Sequence, residues 1–352
     1  LPLHTEQELI SNLRRQMEAL NDISFTDTEW KRFYTTILAN QNNGIVEKTR
    51  LIQEDNVQTF LFDNGEQKNL RIFDRKNVHN NRLQVINQYT PEGGARDNRY
   101  DVTILVNGLP LVHVELKRRG VPIREVFNQI NRYQRESFWS GTGLFQYVQI
   151  FVISNGTETK YYSNTTRFAH VRQNGGKQKP GQGRHTSNSF EFTSWWADEQ
   201  NVPITDLTDF TKTFFAKHTL LNIIAKYCVF TSEQLLMVMR PYQICATEKI
   251  INRVIIAHNY HWEGSLQAGG YIWHTTGSGK TLTSFKTARL ATQLDFIDKV
   301  VFVVDRKDLD YQTMKEYDRF EKGAANSNTS SNILRRQLAS SDPQKKLVIT
   351  TI

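Results

Sequence analysis

The run Gly269-Gly-Tyr-Ile-Trp-His-Thr-Thr-Gly-Ser-Gly-Lys-Thr-Leu-Thr283 determines how the second half of the chain is expected to fold. Its apolar start, 271–273, predicts a strand, and the residues from Lys280 onward predict a helix. A strand, a glycine-rich turn and a helix N-terminus in this order form a phosphate cradle, because backbone N–H groups and the helix dipole favour an anion there. The alternative, a glycine-rich surface turn beside a helix, is disfavoured because both flanking patterns match.

The side chains of this loop predict a bound nucleotide. Lys280 is expected to reach the outer phosphates, and the Thr281 hydroxyl is expected to ligate the accompanying Mg²⁺. Strand and helix patterns then alternate up to strands predicted at 299–304 and 347–351, which indicates an α/β domain with a parallel sheet of the RecA-like kind. The predicted nucleotide contacts in the loop are Thr275, Thr276, Gly277, Ser278, Gly279, Lys280 and Thr281.

Length and composition bound the other possibilities. The 352 residues suffice for about two domains, and 38% apolar with 23% charged residues are typical of a soluble globular protein. Lys and Arg exceed Asp and Glu by 44 − 36 = 8, which favours a polyanionic partner without establishing one. No apolar run reaches the length of a membrane span, and no signal-peptide pattern opens the chain.

Three further features are the two cysteines, the two ends of the chain and a polar internal segment. Cys228 and Cys245 have apolar neighbours in segments expected to be helical, so they are interpreted as buried thiols of a reducing cytoplasm rather than as a disulfide or metal site. The chain starts at Leu1 and stops at Ile352 just after an apolar strand, which suggests a fragment. Residues 172–189 lack apolar side chains and predict a mobile basic loop, with DNA contact as the less favoured alternative.

The first half begins with helical patterns and then changes to short strands. Asp63-Asn64-Gly65 predicts a hairpin turn between two of these strands. The other elements expected from periodicity are helices at 5–20, after Thr26, at 123–138, at 205–215 and at 219–230, and a strand at 147–154.

A second hairpin carries the other candidate site. Its strands, 100–106 and 111–117, are joined by an Asn-Gly turn. A three-residue turn centred on Gly108 would place Asp101 directly opposite Glu115, about 5 Å away. Two carboxylates at that distance repel each other unless a cation lies between them, and Mg²⁺ suits such oxygen ligands.

Lys117 is expected on the same face as the two carboxylates, where it can orient or deprotonate a water, or stabilise developing charge. The downstream helix places Gln129 and Tyr133 at i and i+4, on one face near the hairpin. Nearby arginines suit a phosphodiester substrate. The alternative is a half-solvated hairpin whose polar face carries ordinary charges.

Two short motifs flank the phosphate loop. Arg240-Pro-Tyr-Gln243 opens a helix and resembles the Q motif of superfamily 2 enzymes, in which the glutamine reads adenine; alternatively it is a helix start with proline at N1. Asp305-Arg306, followed by Gln312, resembles the DNA-tracking motif Ia of the same motors; alternatively it is an acidic helix start.

The hairpin and its helix also resemble a known family. Asp101, Glu115-Leu-Lys117 and then Gln129-x-x-x-Tyr133 resemble the PD-(D/E)xK nucleases of the RecB-like branch. Tyr100 stands where that family usually has proline. Such nucleases often carry a further glutamate on their first helix, for which Glu8 is a weak candidate.

Taken together, the strings 100–112, 127–133, 151–156, 273–281 and 304–310 resemble the restriction (R) subunit of type I restriction–modification enzymes. The resemblance implies a PD-(D/E)xK endonuclease domain at 1–210 and a truncated first RecA-like motor domain at 211–352. It also implies Mg²⁺ and ATP as cofactors, double-stranded DNA as substrate, and methyltransferase and specificity subunits as partners. The whole complex would translocate DNA with ATP and cut it.

The resemblance leaves some questions open. No Walker B element follows the second predicted strand, and no second motor domain with an arginine finger is present. Since γ-phosphate chemistry needs both, this chain by itself is expected to bind ATP weakly without hydrolysing it. A superfamily 2 repair helicase with a non-catalytic N-terminal domain, and an assembly subunit with a merely structural nucleotide loop, remain as alternatives.

Overall fold

The computed structural model describes residues 1–90, 99–136, 143–165, 189–304, 307–322, 330–342 and 345–351, without the side chains of 131–136, 307–312 and 351. These residues form two compact units. The first comprises Leu1–Asp198, Val202–Phe230 and Gln234–Val238, and the second comprises the rest. The functional boundary between residues 210 and 211 stays a prediction.

The N-terminal helices begin where the sequence provides caps. Thr5 and Glu8 form a capping box at the first helix, so the Glu8 carboxylate accepts hydrogen bonds from the backbone of His4 and Thr5. The hairpin predicted at Asp63-Asn64-Gly65 is confirmed. The elements are α1 Glu6–Asn21, α2 Asp27–Phe33, a π-helical turn Tyr34–Leu38, α3 Ile45–Gln53, β1 Val57–Leu61 and β2 Gln67–Arg71.

The centre of the first unit is a mixed five-stranded sheet. Its elements are β3 Leu83–Tyr89, β4 Tyr100–Val106, β5 Leu109–Leu116, the crossover helix α4 Ile123–Glu136, β6 Ile150–Ser154 and β7 Thr159–Ser163. The strand order is β3-β4-β5-β6-β7, with only the β5–β6 pair parallel. Helix α4 connects these two parallel strands and packs on both.

Nearly every residue of β4 and β5 is buried. A sheet covered on both faces needs apolar residues on both, which is why these strands are nearly continuous apolar runs. The half-solvated hairpin considered as an alternative is therefore wrong: Thr103, His113 and Glu115 on its polar face are at most 1% exposed.

The last elements of the first unit differ from the sequence interpretation. They are α5 Leu207–Phe214, α6 Lys217–Lys226, β8 Cys228–Phe230 and β9 Leu236–Val238. The helix predicted to run to Phe230 ends at Lys226, because 228–230 pairs instead with β9. The strand predicted from 147 begins at Ile150, after a 3₁₀ turn. Cys228 and Cys245 are both free thiols, in a strand and in a helix respectively.

The second unit contains α7 Pro241–Asn259, α8 Lys280–Ala291, β10 Val300–Val304, α9 Lys307–Phe320, α10 Ser331–Ala339 and β11 Leu347–Thr351. Strands β10 and β11 are parallel, as predicted. The strand predicted at 271–273 is wrong: no described strand pairs with it, and Tyr271 and Trp273 are 90% and 88% exposed. Three apolar residues without a hydrogen-bonded neighbour do not make a strand.

Candidate active site and nucleotide loop

The register of the β4–β5 hairpin comes from a tight turn and a bulge. Asn107 and Gly108, with φ of 53° and 83°, form a two-residue turn, so the three-residue turn expected from the sequence is wrong. Asn-Gly favours the tighter turn because both positions need positive φ. The pairing then shifts between Ile104 and Leu105, which leaves Leu111 as the extra residue of a β-bulge on β5.

The bulge restores the pairing that the sequence predicted. Val102 pairs with Val114, and continuing this register by one residue sets Asp101 opposite Glu115. The backbone N–H of Leu116 donates to Asp101 Oδ2 at 2.8 Å, which holds the aspartate beside the end of β5. The two carboxylates therefore lie side by side on one face of the sheet.

Glu115 is the buried member of the pair. Its side chain is fully buried, and neither carboxylate oxygen accepts a hydrogen bond from the residues that the structure describes. Burial, and secondarily the charge of Asp101, raise the pKa of Glu115 to about 8, while Lys117 opposes this. Even with the Lys117 ammonium group beside it, Glu115 keeps its proton at neutral pH, so a further cation such as a divalent metal ion would be needed to hold this carboxylate ionised.

Lys117 lies next to Glu115, with Nζ 3.6 Å from Oε1. A third of its side chain is exposed, so the ammonium group can also approach a ligand from solvent. The backbone N–H of Lys117 donates to Ser154 O at 2.9 Å, which fixes the end of β5 against β6.

His113 was not predicted as a site residue, although strand alternation places it on the polar face. It is fully buried, with Nε2 3.5 Å from Glu115 Oε2 and Nδ1 3.3 Å from the Thr103 hydroxyl. Burial lowers the pKa of His113 to about 3, so the ring is neutral. A neutral imidazole packed beside Glu115 leaves the charge of that carboxylate uncancelled.

Helix α4 covers this face of the sheet, where Phe127 packs on Tyr162 with ring centroids 5.2 Å apart. Gln129 is half-buried on this helix, while the Tyr133 side chain lies outside the described residues, so both roles stay predictions. Within the described part of the chain, no three His, Cys, Asp or Glu side chains form a metal-binding group. Mg²⁺ at the pair would therefore draw further ligands from water, backbone or substrate, which is its usual behaviour.

The phosphate loop has the backbone expected of an anion cradle. Gly277 and Gly279 have φ of 77° and 78°, and Gly279 is the N-cap of α8, which begins at Lys280. The Ser278 hydroxyl donates to Thr275 O at 2.7 Å and closes the turn. Thr275, Thr276 and Lys280 are exposed, and Thr281 is half-buried in the first helical turn.

Gln243 packs under this loop. Its Oε1 accepts from the backbone N–H of Arg240 at 2.9 Å, and its Nε2 donates to Ser278 O at 3.1 Å. Tyr242 adds a hydroxyl bond to the same carbonyl at 2.7 Å. The amide thus joins the start of α7 to the phosphate loop, and its contact with adenine, like that of the exposed Arg240, stays a prediction. Asp305, Arg306 and the Gln312 side chain lie outside the described residues.

The chain is therefore an α/β protein with two polar sites. One is the carboxylate pair on the mixed sheet, and the other is the separate glycine-rich loop. Residues 3–170 match the family model described as type I restriction enzyme R protein N terminus, and residues 242–352 match the SWI2/SNF2 ATPase model. Among the described residues, no helix is both long and apolar enough to cross a membrane.

Relatives agree with these matches. The chain is 50% identical to the type I restriction enzyme EcoprrI endonuclease subunit of Escherichia coli over 252 residues, 72% of this chain and 75% of the relative. It is 38% identical to the SsaAORF53P endonuclease subunit of Staphylococcus saprophyticus over 99% of this chain and 34% of the relative. It is also 38% identical to the SauMSSORF170P endonuclease subunit of Staphylococcus aureus, again over 99% of this chain and 34% of the relative.

The chain belongs to the family of type I restriction enzyme endonuclease subunits. It spans about a third of the length of the staphylococcal relatives. The SWI2/SNF2-like part is consistent with a translocase, as the flanking motifs suggested.

Proposed function

We propose that this chain carries the nuclease centre and the first part of the motor of a type I restriction enzyme. The reaction is metal-dependent hydrolysis of phosphodiester bonds in double-stranded DNA, in a PD-(D/E)xK domain. The observation that supports it best is the fully buried Glu115, whose oxygens have no donors among the described residues, beside Asp101.

In the proposed mechanism, Asp101 and Glu115 would hold Mg²⁺. Bound there, the ion would supply Lewis-acid stabilisation of charge on the scissile phosphate. Leu116 N–H fixes the orientation of Asp101, and His113 supports the buried side of Glu115. Lys117, partly exposed, orients the attacking water or donates to the developing negative charge.

The second site is proposed to bind ATP. Backbone N–H groups of 277–281 would cradle the phosphates, Lys280 would contact the outer ones, and Thr281 would ligate the nucleotide Mg²⁺. We expect the 352-residue chain alone to bind ATP without DNA-stimulated hydrolysis, because its sequence carries no Walker B element. A steady phosphate release above background, lost in Lys280→Ala, would contradict this.

The family also implies an assembly of several different subunits. We propose the partners to be the methyltransferase and specificity subunits, acting in the cytoplasm, with base recognition supplied by these partners. Co-purification of this chain with each partner subunit in turn tests the assembly independently of DNA cleavage.

The decisive experiment compares Mg²⁺ binding and DNA cleavage in Asp101→Asn, Glu115→Gln and the unaltered protein. Calorimetry is expected to detect Mg²⁺ binding only in the unaltered chain, and in the reassembled enzyme both variants should lose cleavage. Variants that still cut duplex DNA at the original rate would make the nuclease assignment wrong. The first unit would then be a non-catalytic DNA-binding domain.

A further inference from the structure

Lys160 lies in the same row of the sheet as the two carboxylates. Glu115 pairs with Ile153 across β5 and β6, and Ile153 pairs with Lys160 across β6 and β7. Paired residues project from the same face, so Asp101, Glu115 and Lys160 share one face. With about 4.8 Å between strands, Lys160 lies about 10 Å from Glu115 along this row.

The ammonium group of Lys160 is held by aromatic rings and a hydroxyl. Its Nζ lies 4.7 Å from the Phe190 ring centroid and 4.5 Å from that of Trp195, and donates to Thr193 Oγ1 at 3.2 Å. Arg124, in the first turn of α4, lies 5.6 Å from the same Phe190 ring. Two cations are thus gathered around one ring.

Among the described residues, no ion pair neutralises the positive charge of Lys160 in this cluster. Lys160 is half-buried. Burial lowers the pKa of Lys160, and the negative charge of Glu158 offsets part of this lowering. Rings stabilise a cation but leave its charge in place, so the cluster favours an anion near Lys160 and Arg124.

A purely structural role for Lys160 would be to hold the segment 189–196 against β7. That segment is already bonded to β7 through its backbone: Tyr161 N–H donates to Ser194 O at 3.0 Å, and Ser194 N–H donates to Tyr161 O at 2.8 Å. The lysine is therefore not needed as the sole attachment of the segment.

We propose that Lys160, assisted by Arg124, binds a backbone phosphate of the DNA strand one or two nucleotides from the bond that is cut. The inference rests on the proposed nuclease function and adds a substrate contact to it. The rise along the helix axis is about 3.4 Å per nucleotide, and successive phosphates lie farther apart than this because the strand also winds around the axis, so about 10 Å spans only one or two nucleotides. Such a contact would fix the register of the DNA over Asp101 and Glu115 without reading its sequence.

The test measures duplex binding by the 352-residue chain in EDTA, by fluorescence anisotropy over a series of salt concentrations. Lys160→Met keeps the apolar stem but removes the charge, so the slope of log K against log salt should fall by about 0.9. Affinity should fall several-fold for any sequence, and Lys160→Arg should retain both values.

Lys68→Met is the matched control, because Lys68 also lies over a ring, 5.7 Å from Phe62, but pairs with Glu66 at 3.2 Å. Its slope should equal that of the unaltered chain. Lysine footprinting of the unaltered chain gives a readout that needs no variant: bound duplex should protect Lys160 and leave Lys68 reactive.

An unchanged slope in Lys160→Met, or equal labelling of Lys160 with and without DNA, would overturn the inference and leave a structural lysine. If the unaltered chain also binds Mg²⁺ and the reassembled enzyme cuts DNA, only this inference has failed. If the Asp101→Asn enzyme cuts DNA normally while Lys160→Met changes the salt slope, the DNA contact is supported and the proposed active site is wrong.

Discussion

Replacing Glu115 by Gln should stabilise the metal-free protein while abolishing its metal site. The folded protein holds the Glu115 proton up to a pKa of about 8, whereas the unfolded chain loses it near 4.5. Between these values the unfolded state binds fewer protons, so the stability of the original protein falls as pH rises through that window. Gln keeps the shape of the side chain and removes this penalty.

The size of the effect follows from the shift. A pKa raised from 4.5 to about 8 corresponds to a ceiling of about 5 kcal/mol at high pH. Relaxation and water entry reduce the cost of a buried charge, so we expect about 2–3 kcal/mol at pH 8. This corresponds to an increase of roughly 5–10 °C in Tm, with little difference at pH 5.

The assay is thermal unfolding in EDTA at pH 5 and pH 8, followed by circular dichroism. Glu125→Gln, at an exposed glutamate on α4, is the control and should change neither value. Saturating Mg²⁺ should raise the Tm of the original protein at pH 8 and leave Glu115→Gln unmoved. A variant that is less stable than the original protein in EDTA at pH 8 would refute the reasoning.

Three further perturbations test local geometry. Gly108→Ala should cost about 3 kcal/mol or more in urea unfolding, because a Cβ there would lie 2.7 Å from the backbone of α1; Gly65→Ala, with a similar φ and nothing within 4 Å, should cost about 1 kcal/mol. Gly279→Ala should weaken ATP binding about tenfold or more by calorimetry, since its Cβ would lie 2.5 Å from the glutamine amide beneath the loop. Gly264→Ala, with φ +77° and open space, should leave ATP affinity unchanged. Deleting Leu111 should remove the bulge but leave Ile104 paired with Val112 and Asp101 opposite Glu115, so the calorimetric Mg²⁺ signal and the far-ultraviolet spectrum should both be retained.

The carboxylate pair could be predicted because strand alternation and a turn signal are local properties. The turn itself was misjudged: the local sequence does not reveal the bulge at Leu111, which depends on how β5 fits between β4 and β6. His113 was overlooked because its importance comes from burial beside Glu115, and that burial depends on α4 packing on the sheet and on β6 pairing alongside β5.

In the second half, the loop glycines and the helix start at Lys280 were predictable from spacing alone. The strand at 271–273 was not, because three apolar residues fix a strand only when a neighbouring strand completes their hydrogen bonds. Cys228 was assigned to a helix for a similar reason: the periodicity of one segment does not show that 228–230 pairs with a neighbouring strand, Leu236–Val238.

The bulge at Leu111 has an evolutionary consequence. A two-residue tip with a bulge and a three-residue tip without one give the same cross-strand pairs. One residue can therefore move between the tip and the strand without separating Asp101 from Glu115. Loss of the bulge residue itself keeps these partners, whereas an insertion or deletion between the bulge and the carboxylates would need a compensating change. Homologues with a three-residue tip are expected to have lost the bulge, and the pairing of Asp101 with Glu115, rather than the number of residues between them, should be what selection preserves.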